Sequence, residues 1–182
     1  ELLKLGADIN SKDSQCYTPL KETIIQLKCN GLEYIKELAN HGAKIHYLNK
    51  NCNFIRSPIL DVIIYFNDPT RDECCIKILD ALKSKLEPEE LLKYNNSTEY
   101  ENNIVYFCLS TGNFTALKYL IVDLQMKYPE KIYVDKVLTY YFEGESSFFE
   151  TLNNQKQYHR NSTKKIKEIE DILSFMESKN NK

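Results

Sequence analysis

The side chains that could do chemistry in this chain are six cysteines, three histidines and scattered pairs of carboxylates. Their spacing decides what they can do. Cys74 and Cys75 are neighbours, and neighbouring positions of a helix cannot turn two thiolates onto one ion; two small apolar side chains are the better reading. Zinc calls for paired Cys-x-x-Cys or Cys/His spacings, and the sequence has none. His41 and His46 flank Gly42, and His41 falls at a helix end, where a cationic ring suits the helix dipole. Acid pairs such as Glu89-Glu90 or Glu168 and Glu170 are matched with no nucleophile. Phosphate-cradling glycine loops, Gly-x-Ser-x-Gly and kinase signatures do not occur. The sequence predicts no catalysis, no cofactor and no metal in this segment.

Bulk properties point the same way. The 182 residues are 42% hydrophobic and 27% charged with a net charge of -2, a globular composition. Phosphate backbones require clustered Lys and Arg, so no nucleic-acid partner is expected. The basic run Lys164-Lys165-Ile166-Lys167 is answered at once by Glu168, Glu170 and Asp171, the pattern of a solvated helix face. No apolar run approaches the roughly 20 residues that span a bilayer, so no membrane partner is expected. Cys16, Cys29, Cys52, Cys74, Cys75 and Cys108 show no disulfide-framework spacing, which predicts reduced thiols and a cytoplasmic setting. The Asn-x-Ser/Thr matches at Asn95, Asn96, Asn113 and Asn161 carry no weight in that setting. The chain lacks an initiating Met and opens partway through a structural unit, so it reads as a fragment of a longer protein.

The elements repeat. Glu1-Leu-Leu-Lys-Leu-Gly-Ala-Asp-Ile-Asn10, followed by Tyr17-Thr-Pro-Leu20, returns as Glu37-Leu-Ala-Asn-His-Gly-Ala-Lys-Ile-His46, followed by Ser57-Pro-Ile-Leu60. Gly6 recurs as Gly42 and Cys16 as Cys52, both 36 positions on. A recurrence at that period points to stacked helix hairpins. The phrases Gly-Ala-Asp-Ile-Asn and Tyr-Thr-Pro-Leu closely resemble the ankyrin repeat. The resemblance is specific over about residues 1–50, moderate over 57–83 and 103–122, and weak elsewhere. It implies an all-α solenoid of helix-turn-helix repeats with short extended arms or hairpins between them.

Each unit has its own local logic. Thr18 caps a helix that starts at Pro19, whose missing N–H costs nothing there, and Leu20, Ile24 and Leu27 follow at helical spacing. A turn at Cys29-Asn-Gly31 leads to a second helix, Leu32 to Asn40, with Gly42 placed to cap it in the left-handed conformation. Ser57-Pro58 starts the next unit, with helices Ile59 to Phe66, nearly all apolar, and Cys74 to Lys83. Leu86 to Leu92 reads as a short extra helix. Asn103 to Leu120 recovers the pattern through the turn Ser110-Thr-Gly-Asn113. Past Pro129, Val134 to Phe142 is predicted as a first helix, Glu143 to Ser162 as a polar insertion, and Lys164 to Glu177 as an amphipathic second helix. The repeats thus occupy residues 1–128, as a partial repeat 1–17 and then 18–56, 57–102 with its insertion, and 103–128. Residues 129–182 form a degenerate terminal repeat or helical cap.

The sequence departs from the family in two ways. The family's usual His after Thr-Pro-Leu is replaced by Lys21, Asp61 and Tyr106 in successive units, and the tip glycine by Cys16 and Cys52. The second change predicts a different tip shape, and both predict a less regular stack with weaker coupling between units.

The resemblance implies a protein–protein interaction module whose arms and exposed first-helix positions bind a protein partner. By position these are Lys12, Asp13, Gln15 and Tyr17 in the first arm, and Tyr47, Asn49, Lys50, Asn53, Phe54 and Arg56 in the second. Glu22 and Tyr65 project from first helices. Tyr and Arg are common interface anchors, although Tyr17 and Phe54 could equally pack against the next repeat. Two alternatives stand beside this reading. One is the targeting region of a larger enzyme or secreted effector acting in a host cytosol; the other is a structural spacer in a longer solenoid. A monomer is expected unless Leu2, Leu3 and Leu5, left without half their unit, self-associate.

Overall fold

The structure, a computed structural model, describes residues 5–45, 58–66, 70–87, 104–134 and 144–180. It is mostly helical and divides into two compact units, Glu1–Leu86 and Glu87–Lys182.

The first unit is two helix hairpins laid side by side. α1 (Pro19–Leu27) and α2 (Leu32–Asn40) form one, joined by a 3-10 turn at Lys28–Gly31; α3 (Pro58–Tyr65) and α4 (Asp72–Leu82) form the other. α1 packs on α3 and α2 on α4. The local signals are realised as read. Thr18 is extended and its Oγ1 accepts from the Lys21 amide at 3.3 Å, with Pro19 at the first helical position. α2 ends as Gly42 turns to φ 94°. That turn lets the Gly42 and Ala43 amides reach back to the Ala39 and Leu38 carbonyls at 3.1 and 2.9 Å. The core is Leu20 and Ile24 from α1, Ile35 and Ala39 from α2, Ile59, Leu60, Val62 and Ile63 from α3, and Cys75, Ile78, Leu79 and Leu82 from α4.

Three ties of different chemistry join the hairpins. In the arms, the Asn10 side chain donates to the Gly42 carbonyl at 3.3 Å and accepts from the Lys44 amide at 2.8 Å. Between α1 and α3, Lys21 Nζ and Asp61 Oδ2 form a closely paired salt bridge, with 4% and 2% of their side chains exposed. The Tyr17 ring lies 5.0 Å from the same ammonium. Between the turn before α2 and the start of α4, Cys29 and Cys74 form a disulfide with Cα atoms 5.5 Å apart.

These ties correct two expectations. Lys21 and Asp61 do not weaken the coupling of the hairpins; they are opposite charges in the first turns of adjacent helices, and stacking brings them into contact. The cysteines are not all reduced thiols: Cys29 and Cys74 are bonded to each other, and Cys16 is also disulfide-bonded. Stacking, not sequence spacing, makes the Cys29–Cys74 pair, since its members are 45 positions apart. Cys75 and Cys108 are buried free thiols. Leu5 is 82% exposed.

The second unit contains α5 (Ile104–Thr111), α6 (Phe114–Lys118), followed directly by a π-helical turn at Tyr119–Asp123, α7 (Phe148–Tyr158) and α8 (Thr163–Asn180). An antiparallel ribbon, β1 (Lys131–Val134) and β2 (Gly144–Ser147), pairs Lys131 with Ser147 and precedes α7. α6 and α7 both pack on α8, with Phe114, Leu117, Leu120, Phe148, Leu152, Ile169 and Ile172 buried. Thr115 Oγ1 donates to Glu168 Oε1 and Lys118 Nζ to Asp171 Oδ2, both at 2.6 Å. The Asp171 bond holds the Lys118 ammonium above the ordinary lysine range against a desolvation cost.

Here the sequence reading fares less well. Val134 ends a strand instead of starting a helix, and the rest of Val134 to Phe142 lies outside the described residues. The segment taken as a polar insertion, Glu143 to Ser162, holds β2 and the whole of α7. Its buried face is Phe148, Thr151, Leu152 and Gln155, half of it polar, so hydropathy hides it. Leu86 and Glu87 are not helical, and the remainder of Leu86 to Leu92 lies outside the described residues.

Two stability measurements follow. The Cys29→Ser/Cys74→Ser double variant should lose about 4 kcal/mol in urea unfolding under oxidising conditions, from the loop entropy that a bridge of this span removes from the unfolded chain. Cys75→Ser/Cys108→Ser should keep the full response to reductant, because those thiols are in no disulfide. Lys21→Ala should cost about 3–5 kcal/mol by stranding a buried carboxylate, and Lys21→Met/Asp61→Leu should recover most of it. Equal stability of the single and double variants would show that the pair is not desolvated.

Candidate functional site

The first arm folds into a hairpin whose tip is Asp13–Tyr17. The Cys16 amide donates to the Asp13 carbonyl at 3.0 Å, and the Asp13 amide to the Tyr17 carbonyl at 3.1 Å. Between them Cys16 takes φ 62°. This is a turn followed by a left-handed residue, the position where glycine is the easy choice. The tip was expected to change shape because Cys16 replaces glycine. It keeps the positive φ despite the Cβ, at a cost of about 1 kcal/mol or more. The Asp13 carboxylate offsets that cost: its Oδ1 accepts from the Gln15 and Tyr17 amides at 2.9 and 2.8 Å.

The structure therefore brings three of the predicted residues into one turn, with Lys12 just before it, and gives them different duties. Lys12, Asp13 and Gln15 are exposed. Asp13 is spent on building the turn. Tyr17 is half-buried, and its ring covers the Lys21 ammonium, so it belongs with the packing of the hairpins. Glu22 is exposed in the first turn of α1, and Tyr65, 43% exposed, ends α3, where its carbonyl accepts from Arg71 Nη1 at 3.1 Å. These two lie on helices that stack directly. Tyr47, Asn49, Lys50, Asn53, Phe54 and Arg56 fall outside the described residues.

Sequence reasoning noticed Lys21 and Asp61 singly and missed that they are partners. The signal was weak: both lie in the first turn of their helices, but Lys21 is the third residue of α1, beside Glu22, and Asp61 the fourth of α3.

Among the described residues no group of three or more His, Cys, Asp and Glu is arranged to hold a metal ion, and no helix is long and apolar enough to cross a membrane. Comparison with family models, with curated proteins and with solved structures finds no match.

The turn gives a direct test. In Asp13→Ala the Gln15 and Tyr17 amides lose a charged acceptor, and their hydrogen exchange should accelerate about tenfold or more while the amides of α1 stay protected. Unchanged exchange at both would mean that the backbone alone fixes the tip.

Proposed function

We propose that this chain is a protein-binding module of the ankyrin-repeat kind, which presents side chains from its arm and its first helices to a protein partner. The observation that carries the reading is the first arm itself: exposed side chains on a hairpin tip whose backbone is fixed by Asp13 and whose base is tied to the next arm by Asn10. A tip ordered before binding loses little conformational entropy when it binds, which is how a small contact set yields useful affinity. The stacked hairpins of the first unit support the reading as a rigid base for that tip. Lys12, Gln15, Glu22 and Tyr65 are the side chains assigned to contact; Asp13 and Tyr17 are assigned to shape.

The setting is part of the proposal. The cytoplasm was the expected compartment, but a disulfide joining the two hairpins is a bond that reducing cytosol does not maintain, and it favours an oxidising compartment.

The test is affinity capture, with the chain as bait beside a variant carrying Lys12→Ala, Gln15→Ala, Glu22→Ala and Tyr65→Ala. Circular dichroism should show equal helicity for the two, because all four side chains are exposed. A protein retained by the parent and reduced at least about tenfold by the variant is the expected outcome, since loss of an anchor side chain costs about 2 kcal/mol. Equal retention would remove the assigned residues, and no retention by either would favour a structural spacer.

A further inference from the structure

The second unit holds a cavity of about 210 Å³ where the end of α5 meets the end of α7. Ser110, Thr111, Gly112, Gln155, Tyr158 and His159 line it. At that size it suits a small ion or a compact polar molecule, since drug-sized ligands occupy about 300–1,000 Å³.

The charges around it are unusual. Gly112 has φ 68° and no side chain, and the space its Cβ would fill is already taken. Lys165 Nζ lies 2.7 Å from that point and His159 Nε2 lies 3.3 Å from it, so the two nitrogens are no farther apart than the sum of those distances. Lys165 is half-buried, in the first turn of α8, where the helix's own positive end adds to its field. Among the described residues it makes no ion pair. Glu168, the carboxylate that acts on it, is held by Thr115 Oγ1 at 2.6 Å. Burial lowers the ammonium's affinity for its proton, and burial together with the neighbouring Lys165 does the same to the His159 ring. Two potential cations thus lie close together here, His159 on the cavity wall and Lys165 against Gly112, and among the described residues no ion pair joins either to a carboxylate.

The corner is also preorganised. The His159 ring stands edge-to-face with Phe114 at 5.3 Å and with Tyr158 at 4.9 Å, which fixes its plane. The Ser110 and Thr111 hydroxyls donate to the Phe107 carbonyl at 3.3 and 2.6 Å, and the groups there that can carry positive charge are Lys165 and His159.

We propose that this cavity binds a phosphate-type dianion, with the Lys165 ammonium and the His159 imidazole as its donors and Gly112 as the residue that leaves room for the ammonium. A dianion supplies the negative charge this corner lacks and makes charge-assisted hydrogen bonds to both donors. The phosphate is either free or the headgroup of a small ester, and the chemistry of recognition is the same.

The test follows the ring resonances of His159 in the full chain by NMR while sodium phosphate, glycerol 3-phosphate or sodium chloride is added at constant ionic strength. His41, exposed on the other unit, serves as the internal control. Both phosphates, or either alone, should give a saturable shift confined to His159, and chloride should give none. Binding of the ester identifies a small phosphorylated molecule as the ligand class; binding of inorganic phosphate alone identifies the free ion. Lys165→Gln, which removes the charge but keeps N–H donors on a slightly shorter side chain, should weaken binding about tenfold or more through loss of one charged donor. A shift with chloride equal to that with phosphate, no shift with any of them, or undiminished binding by Lys165→Gln overturns the proposal. A comparison of thermal unfolding with and without phosphate separates loss of the site from loss of the fold in the variant.

Discussion

Lys21 and Asp61 put two opposite charges into a seam that is otherwise apolar, and the geometry of the first unit follows from keeping them together. Removing an ion from water costs several kcal/mol, and close pairing offsets that cost only while the partners stay in register. A slide of α1 against α3 by one helical turn, about 5.4 Å, would leave both charges buried and unpaired. Leu20, Ile24, Ile59 and Ile63 would accept such a slide, since one branched aliphatic surface resembles another. The ion pair does not accept it. Tyr17 excludes water from the ammonium side, so the tip hairpin is coupled to the same seam.

The helices need this external support because they are short. α1 and α2 have nine residues each and α3 has eight, lengths at which an isolated helix is marginal in water. Their stability comes from the faces they bury against each other. A hairpin stacked on a hairpin has two seams and a row of arms, and in the first unit each of the three carries its own specific tie. The ion pair holds the first helices, the disulfide holds the start of the second helices, and Asn10 holds the arms. An apolar face fixes that two elements pack; polar and covalent ties fix where along their length they do so. The first unit uses both.

How much of this was legible in the sequence depends on whether a feature is local. Thr18-Pro19 and Gly42 act on their own neighbours, so capping chemistry could be read directly, and α2 runs over the residues that the spacing of Leu32, Ile35 and Leu38 predicts. The disulfide is not local. Cys29 and Cys74 meet only after α2 has stacked on α4, and nothing in a separation of 45 positions distinguishes that pair from the other combinations of six cysteines. The tip lies between the two cases. Cys16 at positive φ could be suspected from the missing glycine, but the compensation by Asp13 depends on a carboxylate reaching two amides, which spacing alone does not reveal.

The second unit shows what a hydropathy reading lacks. α7 buries Phe148, Thr151, Leu152 and Gln155, the i, i+3, i+4, i+7 spacing of a helix face, with only two apolar members. Thr151 is accommodated because its hydroxyl donates to the Ser147 carbonyl at 3.0 Å, and Ser147 caps the same helix by accepting from the Glu150 amide at 3.1 Å. Polar groups at buried positions are tolerable when local backbone partners satisfy them. Such partners come from the helix itself, so they add no signal at long range and remove the apolar signal at short range. Two ion pairs of this unit, Lys118 with Asp171 and Lys156 with Glu170, are partly solvated and contribute little to its register. Register there rests on Phe114, Leu117, Ile169 and Ile172. In α7 apolar identity is lost at individual positions. The hairpin persists because a face is defined by its spacing, and a satisfied threonine or glutamine can occupy a place in it as well as a leucine can.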